Sequence, residues 1–334
     1  MTKIAILGGG SWGTGLSVVL ANSRRSHDIA LWVRESAIAE SIKTAHENAA
    51  YLTGVAIPDS VSPTTDLGEA LNRARIVIGV VPSAHAREVF TQALRHVSPE
   101  AILVSATKGL EPSTHLRISQ VLEQVFSIRF IPQIAVLSGP SFALEAARGQ
   151  PTAVVLASHD HSVAAFLQEE FAAPTFRLYT NDDVLGVELA GAMKNVIAIA
   201  AGVCQGLGFG ANTLAALITR GLAEMTRLAV QLGARHETLG GLAGLGDLVL
   251  TCTGTLSRNR YVGFELGKGR SLQEILAGMT MIAEGVGTAA ALLALGREHR
   301  VELPITEQVN AILQQWKSPA EAIRDIMDRP LKRE

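Results

Sequence analysis

The chain has 334 residues, 48% of them hydrophobic and 18% charged, with a formal net charge of -2. This is a globular composition with material for two domains, and it excludes a disordered chain. Without a basic excess, and with only three Trp, three Tyr and nine Phe, the chain offers neither a polyanion-binding face nor a base-stacking platform, so no nucleic-acid partner is expected.

The first apolar run ends at Leu7 and is followed by Gly8-Gly9-Gly10-Ser11-Trp12-Gly13, then by a helical pattern at Leu16, Val19 and Leu20. A G-x-G-x-x-G between strand and helix reads as a dinucleotide loop. Gly8 permits the turn, Gly10 lets a pyrophosphate approach the backbone, and Gly13 lets helix and strand pack closely. The same glycines break what would otherwise be a signal-peptide core. The second run, Ile29–Val33, leads into Arg34-Glu35. Arg34 is either a surface charge or a partner for a 2′-phosphate; it tilts the cofactor toward NADPH, while Glu35 keeps NADH open.

Further apolar runs follow at Ile76–Val81, Ala101–Ser105, Ile134–Leu137, Thr152–Leu156 and Phe176–Tyr179, with helical patterns at Ala84–Arg95 and Ser113–Phe126 between them. This alternation predicts an α/β fold with a doubly wound, mostly parallel, Rossmann-like sheet. Beyond the strand ends, Lys108 would aim a charge at an anionic ligand, and Gly139 and Ser141 would bring a bare backbone and a hydroxyl to the same crevice. From about residue 182 the pattern becomes all-α. Residues 1–184 are therefore expected to form a dinucleotide-binding domain and residues 185–334 an all-α substrate-binding domain.

Residues 195–219 carry no charge, long enough for a membrane span, but Gly206, Gly208 and Gly210 suggest two buried helices and no membrane insertion. Lys194-Asn195 lies among small and apolar neighbours. A lysine there either snorkels from a helix edge or acts as a buried general acid/base. Asp247 lies between a glycine-rich turn and an apolar run, and Ser257-Arg258-Asn259-Arg260 precedes a helix. That segment is either a capping loop or a phosphate site. Cys204 and Cys252 form no C-x-x-C and the histidines are scattered, which predicts a reducing, cytoplasmic setting and no metal. The apolar helical half suggests a homodimer.

Gly10-Ser11-Trp12-Gly13-Thr14, Ala106-Thr107-Lys108-Gly109-Leu110, Ser138-Gly139-Pro140-Ser141, Lys194-Asn195-Val196, Ile218-Thr219-Arg220-Gly221, Ala243-Gly244-Leu245-Gly246-Asp247-Leu248 and Ser257-Arg258-Asn259-Arg260 occur in this order. Together they resemble the bacterial-type NAD(P)-dependent glycerol-3-phosphate dehydrogenases. The resemblance implies reversible reduction of dihydroxyacetone phosphate to sn-glycerol 3-phosphate by NADPH or NADH, for glycerophospholipid synthesis. It implies cofactor contacts at Ser11, Trp12, Arg34, Lys108, Ala143, Arg258, Ile282 and Glu284. It also implies substrate contacts at Lys108, Gly139, Ser141, Lys194, Asp247, Ser257, Arg258 and Asn259, with Lys194 as proton donor and acceptor. Gly9 departs from the family's common Gly-Ala-Gly. Two other readings stand beside this one: a 3-hydroxyacid or phosphogluconate-type dehydrogenase, and a nucleotide-sensing regulator without turnover.

Overall fold

The computed structural model describes residues 1–330. Its contacts divide the chain into two compact units, Met1–Glu111 with Leu116–Glu188, and Pro112–His115 with Leu189 onward.

The first unit is an eight-stranded sheet of order β3-β2-β1-β4-β5-β6-β7-β8. The strands are β1 Thr2–Leu7, β2 His27–Trp32, β3 Val61–Thr64, β4 Ile76–Gly79, β5 Ile102–Ser105, β6 Gln133–Ser138, β7 Thr152–Ala157 and β8 Phe176–Asn181. Seven helices accompany them: α1 Ser11–Ala21, α2 Ser36–Ala45, α3 Leu67–Leu71, α4 Ala86–Ala93, α5 Ile118–Phe126, α6 Ala143–Ala147 and α7 His161–Phe171. Every neighbouring pair is parallel except β6 with β7. Both faces of the central strands are covered. Ile4 and Ile6 of β1 enter one apolar cluster, and Ala5 and Leu7 enter the other. The chain winds outward from β1 to β3, then returns to place β4 on the other side of β1. That reversal is where an open α/β sheet binds ligands, beyond the carboxyl ends of its strands.

Two details depart from the sequence expectation. Strand β3, Val61-Ser62-Pro63-Thr64, was not foreseen, because it is short and carries a proline. Its place at the sheet edge explains the tolerance, since an edge proline need donate no ladder hydrogen bond. Helix α5 starts at Ile118 rather than near Ser113. Residues Leu110 and Arg117 form an antiparallel bridge, and the Glu111 carbonyl-side turn between them is closed by a Glu111 N–H to Leu116 O bond of 2.9 Å.

The second unit is helical, with α8 Val184–Gly206, α9 Ala211–Gln231, α10 His236–Gly240, α11 Asp247–Thr253, α12 Arg258–Gly267, α13 Leu272–Ala277, α14 Glu284–Glu298, α15 Pro304–Leu313 and α16 Pro319–Met327. The boundary between the units falls within α8. Asp183 accepts a 2.8 Å bond from the Gly186 N–H and starts α8. The uncharged stretch is two helices joined by a glycine-rich turn, as expected, but only the first is largely buried. The residues from Ala211 to Arg220 are half-buried or exposed. Helix α8 is long and apolar enough to cross a membrane, and 89% of its most apolar window is buried inside the protein.

Glycines set how α8 meets α12. A Cβ on Gly202 would lie 2.0 Å from the Arg260 carbonyl oxygen, and one on Gly263 would lie 1.9 Å from that of Ile199. Gly206 and Gly267 repeat the arrangement one turn on, at 2.3 Å from Phe264 O and 2.6 Å from Val203 O. The two backbones therefore touch, and the first turn of α12 is brought against α8 near Asn195.

Candidate active site

In the first unit the glycine loop follows β1 directly. Gly8 adopts φ +127°, and its N–H donates to the Trp32 carbonyl at 3.0 Å. A Cβ on Gly13 would sit 1.8 Å from the Gly8 carbonyl oxygen, whereas one on Gly10 would meet nothing within 4 Å. Gly9 is fixed by its neighbour, because an alanine there would meet Val33 Cγ1 at 2.1 Å; this accounts for the unusual triple glycine. Helix α1 then begins at Ser11 without a side-chain cap. Its first-turn N–H groups and positive dipole end are left for a ligand oxygen. A bare backbone at Gly10 beside an uncapped helix start fits a dinucleotide pyrophosphate. Ala143, at the start of α6, packs against α1, with its carbonyl oxygen 2.9 Å from where a Gly15 Cβ would be.

Arg34 follows β2, and its guanidinium donates to Glu35 Oε1 from Nη2 at 2.7 Å and from Nε at 3.2 Å. That hydrogen bond and charge hold the guanidinium above its ordinary pKa. Lys108, Gly139 and Ser141 are brought together. Lys108 Nζ donates to the Gly139 carbonyl at 2.7 Å and to Ser141 Oγ at 3.2 Å. Gly139 adopts φ +124°, a conformation that disfavours any side chain.

In the second unit Lys194 is 5% exposed on α8. Its Nζ lies 2.5 Å from Asp247 Oδ1 and donates to Thr251 Oγ1 at 2.9 Å. Thr251 in turn donates to the Asp247 carbonyl at 2.6 Å. Asp247 and Thr251 stand four residues apart on α11 and so share a face. The chain enters α11 through a π turn, Leu242–Gly246, in which a Cβ on Gly244 would lie 2.0 Å from Leu239 O. The lysine is thus neither lone nor snorkelling. Asp247, 1% exposed, offsets the desolvation of its ammonium.

Beside this pair, Asn259 ties three helices. Its Nδ2 donates to Asn195 Oδ1 and its Oδ1 accepts from the Gly285 N–H, both at 2.9 Å. Ser257 caps α12 by accepting from the Arg260 N–H at 3.2 Å. Arg258 Nη1 donates to the Ile282 carbonyl at 2.9 Å. Burial pushes the Arg258 guanidinium below its ordinary pKa, and nearby Glu284 opposes this. The structure therefore groups Lys194 with Asp247, and Ser257, Arg258 and Asn259 with Ile282 and Glu284. The sequence reading missed Thr251, whose i+4 spacing from Asp247 was the available signal. The cysteines are buried, with the Cys204 thiol pushed up to about 11 and the Cys252 thiol to about 12, so neither is a thiolate at neutral pH. Among the described residues no group of three metal-ligating side chains occurs.

A glycine loop at the reversal of a parallel sheet, joined in one chain to a helical unit with a buried lysine–carboxylate pair, defines a nicotinamide-dinucleotide oxidoreductase. Comparison with known proteins makes the assignment particular. Residues 3–164 match the NAD-dependent glycerol-3-phosphate dehydrogenase N-terminus, and residues 183–324 match the NAD-dependent glycerol-3-phosphate dehydrogenase C-terminus. The chain belongs to this family. It is 54% identical over 331 residues to glycerol-3-phosphate dehydrogenase [NAD(P)+] of Koribacter versatilis, covering 99% of this chain and 98% of the relative. It is 50% identical to the protein of that name from Myxococcus xanthus, with the same coverage. The crystal structure of glycerol-3-phosphate dehydrogenase from Coxiella burnetii superposes with a TM-score of 0.93 at 40% identity, covering 98% of this chain and 99% of that one.

Proposed function

We propose that this protein reduces dihydroxyacetone phosphate to sn-glycerol 3-phosphate, reversibly, with NADPH or NADH, and that Lys194 is its general acid/base. The buried Lys194–Asp247–Thr251 cluster carries the reading, in a chain whose relatives bear the dehydrogenase name. Gly8, Gly10, Ser11, Trp12 and Gly13 would hold the dinucleotide, with Arg34, Lys108, Ala143, Arg258, Ile282 and Glu284 completing its contacts. When bound, the nicotinamide supplies the hydride. Lys194 donates a proton from Nζ to the oxygen that becomes the secondary alcohol, and takes it back in the reverse direction. Asp247 offsets the burial of the ammonium and aims it, and Thr251 fixes its second direction. Arg258 and the first-turn N–H groups of α12 grip the substrate phosphate, an arrangement suited to a dianion. Asn259 acts through its bonds to Asn195 and Gly285, which hold that turn in place. Lys108, Gly139 and Ser141, which hydrogen-bond one another, would add a charge and polar groups to the substrate's contacts. The product serves glycerophospholipid synthesis. The burial of α8 supports an enzyme without membrane insertion, and the half-exposed Leu214, Leu217 and Ile218 on α9 support a homodimer.

Arg258→Ala is expected to raise the KM for dihydroxyacetone phosphate by about ten- to a hundredfold, the worth of a charge-assisted hydrogen bond. Initial-rate kinetics check this, and an unchanged KM removes Arg258 from the phosphate site. Glu35→Gln is expected to release Arg34 and move the kcat/KM ratio toward NADPH by about two- to fivefold, in keeping with an exposed ion pair. The two reduced cofactors assayed side by side give that ratio, and an unmoved or reversed ratio contradicts the role of Glu35.

A further inference from the structure

The glycine loop has a clamp that lies outside its own motif. Asn48 follows α2 in the chain, 39 residues after Gly9, and is 1% exposed. Its Nδ2 donates to the Gly9 carbonyl at 2.8 Å and to Thr14 Oγ1 at 2.8 Å. Its Oδ1 accepts from the Tyr51 N–H at 3.3 Å, and its own carbonyl accepts from the Leu52 N–H at 2.8 Å. Thr14 Oγ1 also donates to the Gly9 carbonyl at 3.3 Å. Both amide ends of Asn48 are therefore engaged, and one loop carbonyl is held by two side chains.

The consequence follows from peptide geometry. In a planar trans peptide the C=O and the next N–H point in opposite directions. Fixing the Gly9 carbonyl toward Asn48 turns the Gly10 N–H the other way, and the space around Gly10, where a Cβ would meet nothing within 4 Å, leaves room for a ligand. Three successive glycines have much backbone freedom to lose, so a loop of this composition needs an external restraint to present one conformation. We infer that Asn48 is a positioning residue for the cofactor: it preorganises the Gly8–Gly10 backbone to receive the pyrophosphate. The inference rests on the dinucleotide reading of this loop.

The test uses purified full-length enzyme and a direct titration of NADPH, followed by intrinsic tryptophan fluorescence or calorimetry. Asn48→Asp keeps the shape but replaces the donating amide with an acceptor that faces the Gly9 carbonyl. Its Kd for NADPH is expected to rise about tenfold or more, as for a buried acceptor that loses its donor. At saturating NADPH its kcat and its KM for dihydroxyacetone phosphate should stay within about twofold of the wild type, since the restraint acts on the loop and not on Lys194. An unchanged Kd overturns the inference. So does a rise in both Kd and KM with a matching fall in kcat, which marks general damage. If Asn48→Asp does not fold, Thr14→Val removes the second group on the Gly9 carbonyl. A severalfold weaker Kd supports the clamp and an unaltered one overturns it. Wild-type enzyme that binds neither NADPH nor NADH overturns the dinucleotide reading itself, and the inference with it.

Discussion

Lys194→Ala is expected to lower kcat with dihydroxyacetone phosphate by about 10²–10⁴, the usual worth of a positioned general acid. The pairing of Lys194 with Asp247 adds a second effect. Removing the ammonium leaves a carboxylate that is 1% exposed without its 2.5 Å cationic partner. Breaking a buried ion pair from one side typically costs about 3–5 kcal/mol of stability. The single variant should therefore be both slow and less stable. The double variant Lys194→Met with Asp247→Asn removes both charges and should regain most of that stability while remaining slow. Saturating turnover and urea midpoints on the two proteins separate the effects. Near-normal turnover in either variant removes Lys194 from the chemistry. A double variant no more stable than the single one shows that the unpaired charge is not the origin of the loss.

Gly263→Ala is expected to be the most damaging single-methyl change in the helical unit. Its Cβ would stand 1.9 Å from the Ile199 carbonyl oxygen and 2.9 Å from the Val203 nitrogen. Both are backbone atoms, so no rotamer change relieves the contact. The α12 and α8 backbones must part by more than about 1 Å to restore van der Waals separation, and overpacking of this kind costs about 1–3 kcal/mol or more. Asn259 lies one turn earlier on α12 and bonds Asn195 at 2.9 Å, so the same displacement should disturb the phosphate-gripping turn. A lower urea midpoint together with a raised KM for dihydroxyacetone phosphate is the expected pair of results. Wild-type stability would mean that the α8–α12 crossing tolerates a side chain, contrary to the packing described above.

The parts of this protein that were legible in the sequence are those written in local pattern. The apolar runs marked seven of the eight strands. The glycine loop declared itself by its place after β1. Strand β3 was not legible, because Pro63 argues against a strand until the edge position is known. Helices α10 and α11 were hidden for a related reason. Gly240, Gly241, Gly244 and Gly246 read as a turn, yet packing against Leu239 holds Leu242–Gly246 in a π turn that runs straight into α11. Intrinsic propensity is a weak prior that such contacts override.

The site divides in the same way. Lys194 stood out because it was the one charge in an apolar stretch, and Arg258 because it opens a helix. Their partners are separated from them by long stretches of chain. Asp247 lies 53 residues from Lys194 and Asn48 lies 39 residues from Gly9, beyond the reach of any periodicity. Gly202, Gly263 and Gly267, which belong to no motif, proved to decide how close the two backbones come. Nothing in the letters distinguishes such a glycine from a tolerated one; only the facing carbonyl does.

The most direct measurement follows the near-ultraviolet absorbance of reduced nicotinamide as wild-type enzyme is offered dihydroxyacetone phosphate, unphosphorylated dihydroxyacetone, or 2-keto and 3-keto acids, with NADPH and with NADH. The account predicts rapid oxidation with dihydroxyacetone phosphate and little or none with the others. Turnover of a keto acid in preference to dihydroxyacetone phosphate would contradict it, as would binding of the dinucleotide without oxidation by any of these substrates.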